Sequence, residues 1–173
     1  MELLILRHAI AFPKDAKRWP DDGERPLTAD GVKRARRAAA GLKRIASRPS
    51  LVLTSPLVRA RDTAAIFTQA AHWPKARECA ALSPQGSGEG VLEALRQQAG
   101  KSDWVAVVGH QPHLGHLLAL CLRGGAQPEA FELRKSAIAR LHFDGPPRAG
   151  QGVLRALYPP RALRQLGRTK ATE

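Results

Sequence analysis

The sequence predicts a single-domain α/β sandwich of three layers, with a central, mostly parallel sheet, and three observations predict it. Short continuous apolar runs, typical of strands buried on both faces, occur at 2–6, 51–55 and 104–110. Segments with helical spacing separate these runs, which places helices on both faces of the sheet. Two later strand-like segments, 137–143 and 152–158, are joined by a short loop, so we expect an antiparallel edge.

The helix after the first strand is predicted by its start and by its apolar spacing. Thr28 is a suitable N-cap because its hydroxyl can accept a hydrogen bond, and Asp30 places a negative charge in the first turn. Small and apolar residues then recur at helical spacing, at Val32, Ala35, Ala39, Leu42 and Ala46. Lysines and arginines occupy the other faces, where a solvated surface is expected and docking of an acidic partner is the alternative.

Three later helices are predicted by similar signals. The first begins with Ser55 as N-cap and Pro56 as the first helical residue, where proline's missing N–H is harmless. The second is a short helix at 89–99, and the third spans 114–124 and ends at Gly124.

The domain is expected to span 1–160, and a basic, partly disordered tail is expected at 161–173. Cys79 and Cys121 are too few for a disulfide framework and are expected to be free thiols. The first apolar run stops at Arg7, short of a signal-peptide core, and no run approaches the roughly 18 residues that span a bilayer. A cytoplasmic protein without membrane association is therefore predicted.

The composition is strongly basic, with a formal net charge of +13. Such a charge attracts phosphates, acidic proteins, nucleic acid and anionic membranes. Only 5% of the residues are aromatic, which argues against a stacking platform for bases, so no specific nucleic-acid binding is expected. We interpret the charge as a background that brings anionic substrates to the protein.

Polar residues follow the three clearest strands at the points where they end. The first run leads into Arg7 and His8, the second into Ser55 with Arg59 close behind, and the third into His110. Because ligands bind beyond the carboxyl ends of parallel strands, these side chains are expected to converge on one rim, without a nearby carboxylate. Two histidines and two arginines suit a phosphoryl group, whose oxygens match the planar donor fork of arginine.

An imidazole on such a rim can act as nucleophile, general base or charge stabiliser. Neighbouring arginines disfavour the protonated ring, so they lower the pKa of His8 and keep it neutral and nucleophilic near pH 7.

The sequence resembles the histidine phosphatase superfamily, which includes the phosphoglycerate mutases, over roughly residues 2–158. Arg7-His8 followed by a small residue resembles its "RHG" signature, and three later blocks match in order: "RPLTADG" (25–31), "SPLVRARDT" (55–63) and "GHQPHLG" (109–115). The short chain, "ALSPQG" (81–86) and "SAIARL" (136–141) are most similar to the SixA-type phosphohistidine phosphatases.

The resemblance implies a phosphatase that works through a phosphohistidine intermediate. His8 would be the nucleophile, while Arg7, Arg59 and His110 would hold the phosphoryl oxygens and stabilise the transition state. No metal or other cofactor would be required, because the cationic pocket replaces Mg²⁺, and phosphate or sulfate could occupy it. The partner would be a phosphohistidine-bearing protein or another phosphorylated substrate.

Three further residues are candidates for substrate binding. Ser55 and Ser136 are expected to line the pocket. Arg25 could touch the substrate, although pairing with Asp30 or another acidic residue is an equal alternative.

Two departures from the superfamily pattern bear on the substrate. Ala9 stands where glycine is usual, which predicts mild strain if the backbone needs a positive φ. Ala81 stands where many members place a carboxylic acid that protonates an alkoxide leaving group, while Glu78 and Glu89 lie off the pattern. An imidazole nitrogen can be protonated before the bond breaks, so a pocket without that acid favours phosphoramidates over phosphomonoesters.

Three alternatives remain open at this point. The same pocket could serve a small phosphoester or polyphosphate. His110, His113 and His116 recur every three residues and could hold a metal, although the HExxH spacing is absent. A non-catalytic module that binds nucleic acid, another anion or a membrane surface would rest on the charge alone.

Overall fold

The computed structural model describes residues 1–100, 102–125 and 131–168, and its centre is a six-stranded sheet in the order β3-β2-β4-β1-β5-β6. The first four strands in that order are parallel, and β5 and β6 are antiparallel to their neighbours. The predicted mixed sheet with an antiparallel edge is confirmed. The strands are β1 (Glu2–Arg7), β2 (Leu51–Thr54), β3 (Arg77–Glu78), β4 (Trp104–Gly109), β5 (Ile138–His142) and β6 (Val153–Tyr158).

Helices cover both faces of the sheet, as predicted. The helices are α1 (Ala29–Leu42), α2 (Val58–Ala71), α3 (Gly88–Ala99), α4 (His113–Arg123) and α5 (Pro160–Leu166). Alternate residues of β1 supply the two cores, because successive side chains of a strand point to opposite faces. Leu4 and Leu6 pack with α1, α2 and α5, whereas Leu3 and Ile5 pack with α3 and α4.

The start of α1 is confirmed and the predicted start of α2 is wrong. The Thr28 hydroxyl accepts a hydrogen bond from the Gly31 amide at 2.9 Å, as expected of an N-cap. Helix α2 begins at Val58 with Leu57 in the N-cap position, so Ser55 and Pro56 precede it. The Ser55 hydroxyl accepts from the Leu57 amide at 3.3 Å and is also held by the site described below.

Two elements differ from the sequence-based expectation. Residues Pro160–Leu166, expected to belong mostly to the basic tail, form α5, whose Leu163 is fully buried with Leu42 of α1. The last five residues, 169–173, lie outside the described part. The two-residue strand β3 was not predicted, because two residues carry no periodic signal.

The register brings both halves of the sheet to one rim. Leu6 near the end of β1 pairs with Ile138 at the start of β5, and Ile138 pairs with Tyr158 at the end of β6. The rim therefore combines the carboxyl ends of β1, β2, β4 and β6 with the amino end of β5.

No helix in the described part of the chain has the length and apolar character needed to cross a membrane. Cys79 and Cys121 are both buried and unpaired, as expected.

Candidate functional site

Backbone hydrogen bonds join the strand ends that carry the candidate residues. The His8 amide donates to the Gly109 carbonyl at 3.0 Å, and the Ser55 amide donates to the Val108 carbonyl at 2.9 Å. The Ser136 amide donates to the Arg7 carbonyl at 3.1 Å. These bonds bring the polar residues of four segments together, and we call the space bordered by Arg7, His8, Arg59 and His110 the basic pocket.

His8 is held as a neutral imidazole with a defined tautomer. Its Nδ1 lies 2.7 Å from the Ala9 carbonyl, which can only accept, so Nδ1 carries the proton. Burial is the main cause that lowers the pKa of His8 to about 3, and the charges of Arg59 and Arg7 add to it. Sequence reasoning named the arginines alone, and burial has the larger effect. Nε2 is left with its lone pair and with no hydrogen-bond partner among the described residues.

The segment after His8 is fixed to α2 without strain. The Ala9 amide donates to the Thr63 hydroxyl at 2.9 Å, and that hydroxyl donates to the Arg59 carbonyl at 2.6 Å. Ala9 is fully buried and does not have a positive φ, so the strain expected at this position is absent. Thr63, which sequence reasoning missed, links the nucleophile candidate to the helix that carries Arg59.

The two arginines are each anchored through terminal nitrogens of the guanidinium group. Arg7 Nη1 donates to the Leu133 carbonyl at 2.6 Å, and Arg59 Nη1 donates to the Asp22 carbonyl at 2.7 Å. The Nε atoms of both arginines have no partner within the described residues. The basic pocket thus holds positive charge with unused hydrogen-bonding capacity, which is the character of an anion site.

A carboxylate lies beside the pocket, contrary to the sequence-based expectation. Asp22 Oδ2 is 3.2 Å from Arg59 Nη2, and Asp22 Oδ1 is 2.8 Å from Arg25 Nε. The hydrogen bond from Arg25 is the largest cause that lowers the pKa of Asp22, and the Arg59 charge adds to it, so this carboxyl stays ionised. Arg25 pairs with Asp22, whereas Asp30 pairs with Arg34 at 2.7 Å.

His110 and Ser55 form a buried pair at the basic pocket. His110 Nε2 lies 2.7 Å from Ser55 Oγ, and the rings of His110 and His8 are 5.0 Å apart between centroids. Burial, followed by His8 and Arg59, lowers the pKa of His110 to about 2, so this ring is also neutral. Its Nδ1 has no partner among the described residues.

The segment before β5 adds two residues to the rim. Ser136 is buried and has a φ of 65°, which a non-glycine residue adopts at some cost, and its amide touches the carbonyls of Arg7 and His8. The charge of the neighbouring Lys135 also lowers the pKa of His8, so it lies close to the pocket. Sequence reasoning named Ser136 and missed Lys135. The one feature of the sequence that could have indicated Lys135 is its position next to Ser136.

Neither glutamate near the expected acid position reaches the pocket residues. Ala81 lies in a short 3₁₀ helix, Ala80–Leu82. Glu78 is exposed and pairs with Arg61 at 3.3 Å. Glu89 is exposed in the first turn of α3 and makes no hydrogen bond or ion pair with a pocket residue.

The three histidines at 110, 113 and 116 do not form a metal site. His110 precedes α4, His113 is its first residue and is buried, and His116 is exposed. Among the described residues, no group of three or more histidine, cysteine or acidic side chains could hold a metal ion.

Comparisons with known proteins show what the chain as a whole is similar to. The model of the histidine phosphatase superfamily (branch 1) matches residues 3–87. An uncharacterised protein of Picosynechococcus sp. is 37% identical over 142 residues, which cover 82% of this chain and 84% of that protein. The structure of the protein histidine phosphatase SixA complexed with tungstate superposes with a TM-score of 0.81 at 28% identity, covering 94% of this chain and 99% of that one. The α-ribazole phosphatase of Shigella flexneri shares the fold, with a TM-score of 0.69 at 18% identity over 92% and 97% of the two chains.

Proposed function

The chain belongs to the histidine phosphatase superfamily, in its SixA-type branch, and we propose that it hydrolyses the P–N bond of a phosphohistidine on a protein through a covalent intermediate on His8. The observation that carries this proposal is the state of His8. It is neutral, its proton is fixed on Nδ1 by the Ala9 carbonyl, and its Nε2 lone pair is free to attack phosphorus.

The proposed reaction has two displacement steps. In the first, His8 Nε2 forms a bond to phosphorus while the substrate's P–N bond breaks, and the departing imidazole nitrogen is protonated from solvent. In the second, water attacks phosphorus, the bond to His8 breaks, and one proton of the water passes to solvent as phosphate leaves. The first step exchanges one P–N bond for another, so it is nearly thermoneutral.

The surrounding groups stabilise charge on the transferring phosphoryl group. Arg7 and Arg59 face its oxygens as fixed cations, and His110, whose Nε2 accepts from the Ser55 hydroxyl, offers its Nδ1–H as a neutral donor. We propose that this charge, without a divalent metal, suffices for the reaction. The tungstate in the SixA structure supports a site of this kind, because tungstate is a tetrahedral oxyanion like phosphate.

The residues near the basic pocket favour cleavage of a P–N bond over cleavage of a P–O bond, because none of the carboxyl groups named above is suited to protonate a leaving group. An alkoxide leaves badly unless an acid protonates it, and the position expected to hold that acid is Ala81. Asp22 lies beside the pocket and contacts Arg59, but its lowered pKa keeps the carboxyl group ionised and therefore unable to donate a proton near pH 7. An imidazole leaving group is protonated from solvent, so it needs neither an acid at position 81 nor a proton from Asp22.

A phosphatase of a small phosphoester or of polyphosphate is the second candidate. A small phosphoester is supported by the fold that the chain shares with the α-ribazole phosphatase, whose substrate is small. Polyphosphate is supported by the net charge of +13, which attracts polyanions. A non-catalytic anion- or nucleic-acid-binding role is the third. A cytoplasmic location and a role in signal transduction remain predictions.

The test compares wild type, His8→Ala and the near-isosteric His8→Asn on three substrates. These are a histidine-phosphorylated protein, phosphoimidazole and para-nitrophenyl phosphate, each with and without EDTA. We expect wild-type turnover of both phosphoramidates, unaffected by EDTA, and a loss of at least about 10³-fold in both variants, as for removal of a covalent nucleophile. Rapid quenching should trap an acid-labile, alkali-stable phosphoenzyme in the wild type alone.

Each alternative predicts a different result. Full activity in His8→Ala would refute the covalent mechanism, and cleavage of only the ester would refute the substrate class. Loss of turnover in EDTA, restored by Mg²⁺, would refute metal independence. Salt-sensitive anion binding without turnover of any substrate would support the non-catalytic role.

A further inference from the structure

We propose that a groove beside the basic pocket docks an acidic, partly apolar segment of the protein substrate, an inference that rests on the proposed function. The groove has a volume of about 440 Å³ and lies between the segment before β5, the end of β6 and the start of α5. We call it the arginine groove, and its principal lining residues are Leu133, Arg134, Leu157, Pro159, Arg161 and Arg164.

A single layer of chain separates the arginine groove from the basic pocket. Leu133 lines the groove, and its carbonyl accepts a hydrogen bond from Arg7 Nη1 at 2.6 Å on the pocket side. Ala137 also lines the groove, and its carbonyl accepts from the Arg7 amide at 3.2 Å. One protein bound across segment 131–137 can therefore fill the groove while presenting a phosphorylated side chain to His8.

The groove carries positive charge that its own residues do not neutralise. Arg134 and Arg161 are exposed and make no ion pair among the described residues. Burial is the main cause that lowers the pKa of Arg164; the charges of Arg34 and Arg161 lower it further, and the charge of Asp30, outside the groove, opposes them. An anionic ligand would relieve this repulsion between like charges.

One acidic residue, Glu132, also lines the groove. Burial lowers the pKa of Arg7, and the charge of Glu132 opposes that shift from the groove side. Three arginines against one glutamate leave an excess of positive charge for a partner.

The apolar part of the groove favours a protein segment over a polyphosphate chain. Leu157, which lines the groove, is 54% exposed, and Leu133 and Ala137 line it as well. Prolines at 159 and 160 extend this surface along the groove. Polyphosphate has no apolar groups to cover such a surface, whereas a segment with alternating glutamate and leucine side chains matches both components.

The experiment uses two phosphohistidine peptides of the same length, one flanked by glutamate and leucine and the other with glutamine in place of glutamate. Phosphoimidazole, which is too small to reach the groove, reports the basic pocket alone. The test variant is Arg161→Glu/Arg164→Glu, with Arg161→Ala/Arg164→Ala as a milder form. The matched control is Arg44→Glu/Arg48→Glu, which makes the same charge change in the segment before β2, at the opposite end of the sheet.

We expect the acidic peptide to have the lower KM in the wild type. The groove variant should raise that KM by about tenfold while kcat and phosphoimidazole turnover stay within about twofold, since docking contacts do not touch the reacting atoms. Leu157→Ser should raise the KM of the acidic peptide about threefold through loss of apolar contact. The control pair should change none of these values by more than about twofold, because its charges lie at the far end of the sheet.

The proposal fails if Arg161→Glu/Arg164→Glu raises the KM of the acidic peptide no more than the control variant does. It also fails if the same variant slows turnover of phosphoimidazole as much as turnover of the acidic peptide. Inhibition by polyphosphate that depends on Arg161 and Arg164 but not on Leu157 would assign the groove to a polyanion instead. Binding of the unphosphorylated acidic peptide, measured by fluorescence anisotropy, tests the groove independently of catalysis. If this binding depends on the two arginines but no phosphohistidine is hydrolysed, the groove stands and the proposed function fails.

Discussion

Ser55→Ala tests whether the buried serine orients His110 for the reaction. Ser55 is fully buried, His110 is 2% exposed, and their 2.7 Å contact is the one hydrogen bond to the His110 ring among the described residues. Removing the hydroxyl leaves a buried polar nitrogen unsatisfied, which costs about 1–3 kcal/mol of the free energy of unfolding. For a protein of this size, each 1 kcal/mol lowers Tm by about 2–4 °C.

The same change should reduce turnover because the tautomer and orientation of His110 are no longer fixed. We expect kcat for a phosphohistidine substrate to fall about 10- to 100-fold, equivalent to about 1.4–2.7 kcal/mol of transition-state stabilisation. Stopped assays give kcat and KM, and calorimetry gives Tm. Ser50→Ala is the matched control, since its hydroxyl makes a 3.2 Å bond to the Trp104 carbonyl at the exposed other end of β2. If Ser55→Ala behaves like Ser50→Ala in both assays, the assigned role of Ser55 is wrong.

Three further predictions follow from charges in the structure. Asp22→Asn removes the anion that pairs with Arg59 and Arg25, so phosphate should bind about 3- to 10-fold more tightly by calorimetry, and weaker binding would contradict this. His8 and His110 have folded-state pKa values well below the ordinary histidine pKa of 6.5, so the unfolded chain takes up more protons. Below about pH 6.5 each should therefore remove about 1.4 kcal/mol of the free energy of unfolding per pH unit. Urea unfolding from pH 7 to 5 should show this dependence, with a smaller slope in His110→Gln by about 1.4 kcal/mol per pH unit, and a flat profile would refute it. Although burial opposes it, hydrogen bonding to Arg140 lowers the pKa of Glu2. Glu2→Gln should therefore cost about 1–2 kcal/mol at pH 7, and this cost should shrink as the pH falls through the lowered folded-state pKa of the wild-type carboxyl; a cost that does not change with pH would exclude this.

The strand ends were predictable from sequence because continuous apolar runs mark buried strands. Arg7, His8 and His110 directly follow such runs, and a parallel sheet brings its carboxyl ends to one rim whatever the details of packing. The convergence of these residues depends only on topology, which the alternation of strands and helices already specified.

The features that sequence reasoning missed depend on contacts distant in sequence. Asp22 lies in a short 3₁₀ helix within a loop that has no periodicity, and its place beside Arg59 exists only once α2 has packed. Helix α5 has seven residues, too few to be stable alone, and is held by the buried Leu163. The start of α2 was misplaced because Pro56 fits a first helical turn equally well in isolation.

The amide hydrogen bonds that tie His8 to Gly109, Ser55 to Val108 and Ser136 to Arg7 have a consequence for how activity is lost. They continue the ladders of the central strands, which are the last parts of a domain to open. Fluctuations that expose the helices or the edge strand therefore leave the two imidazole rings in register. The His8, Ser55 and Ser136 amides should be among the slowest to exchange hydrogen, and any loss of turnover before global unfolding should come from movement of Arg59 on α2.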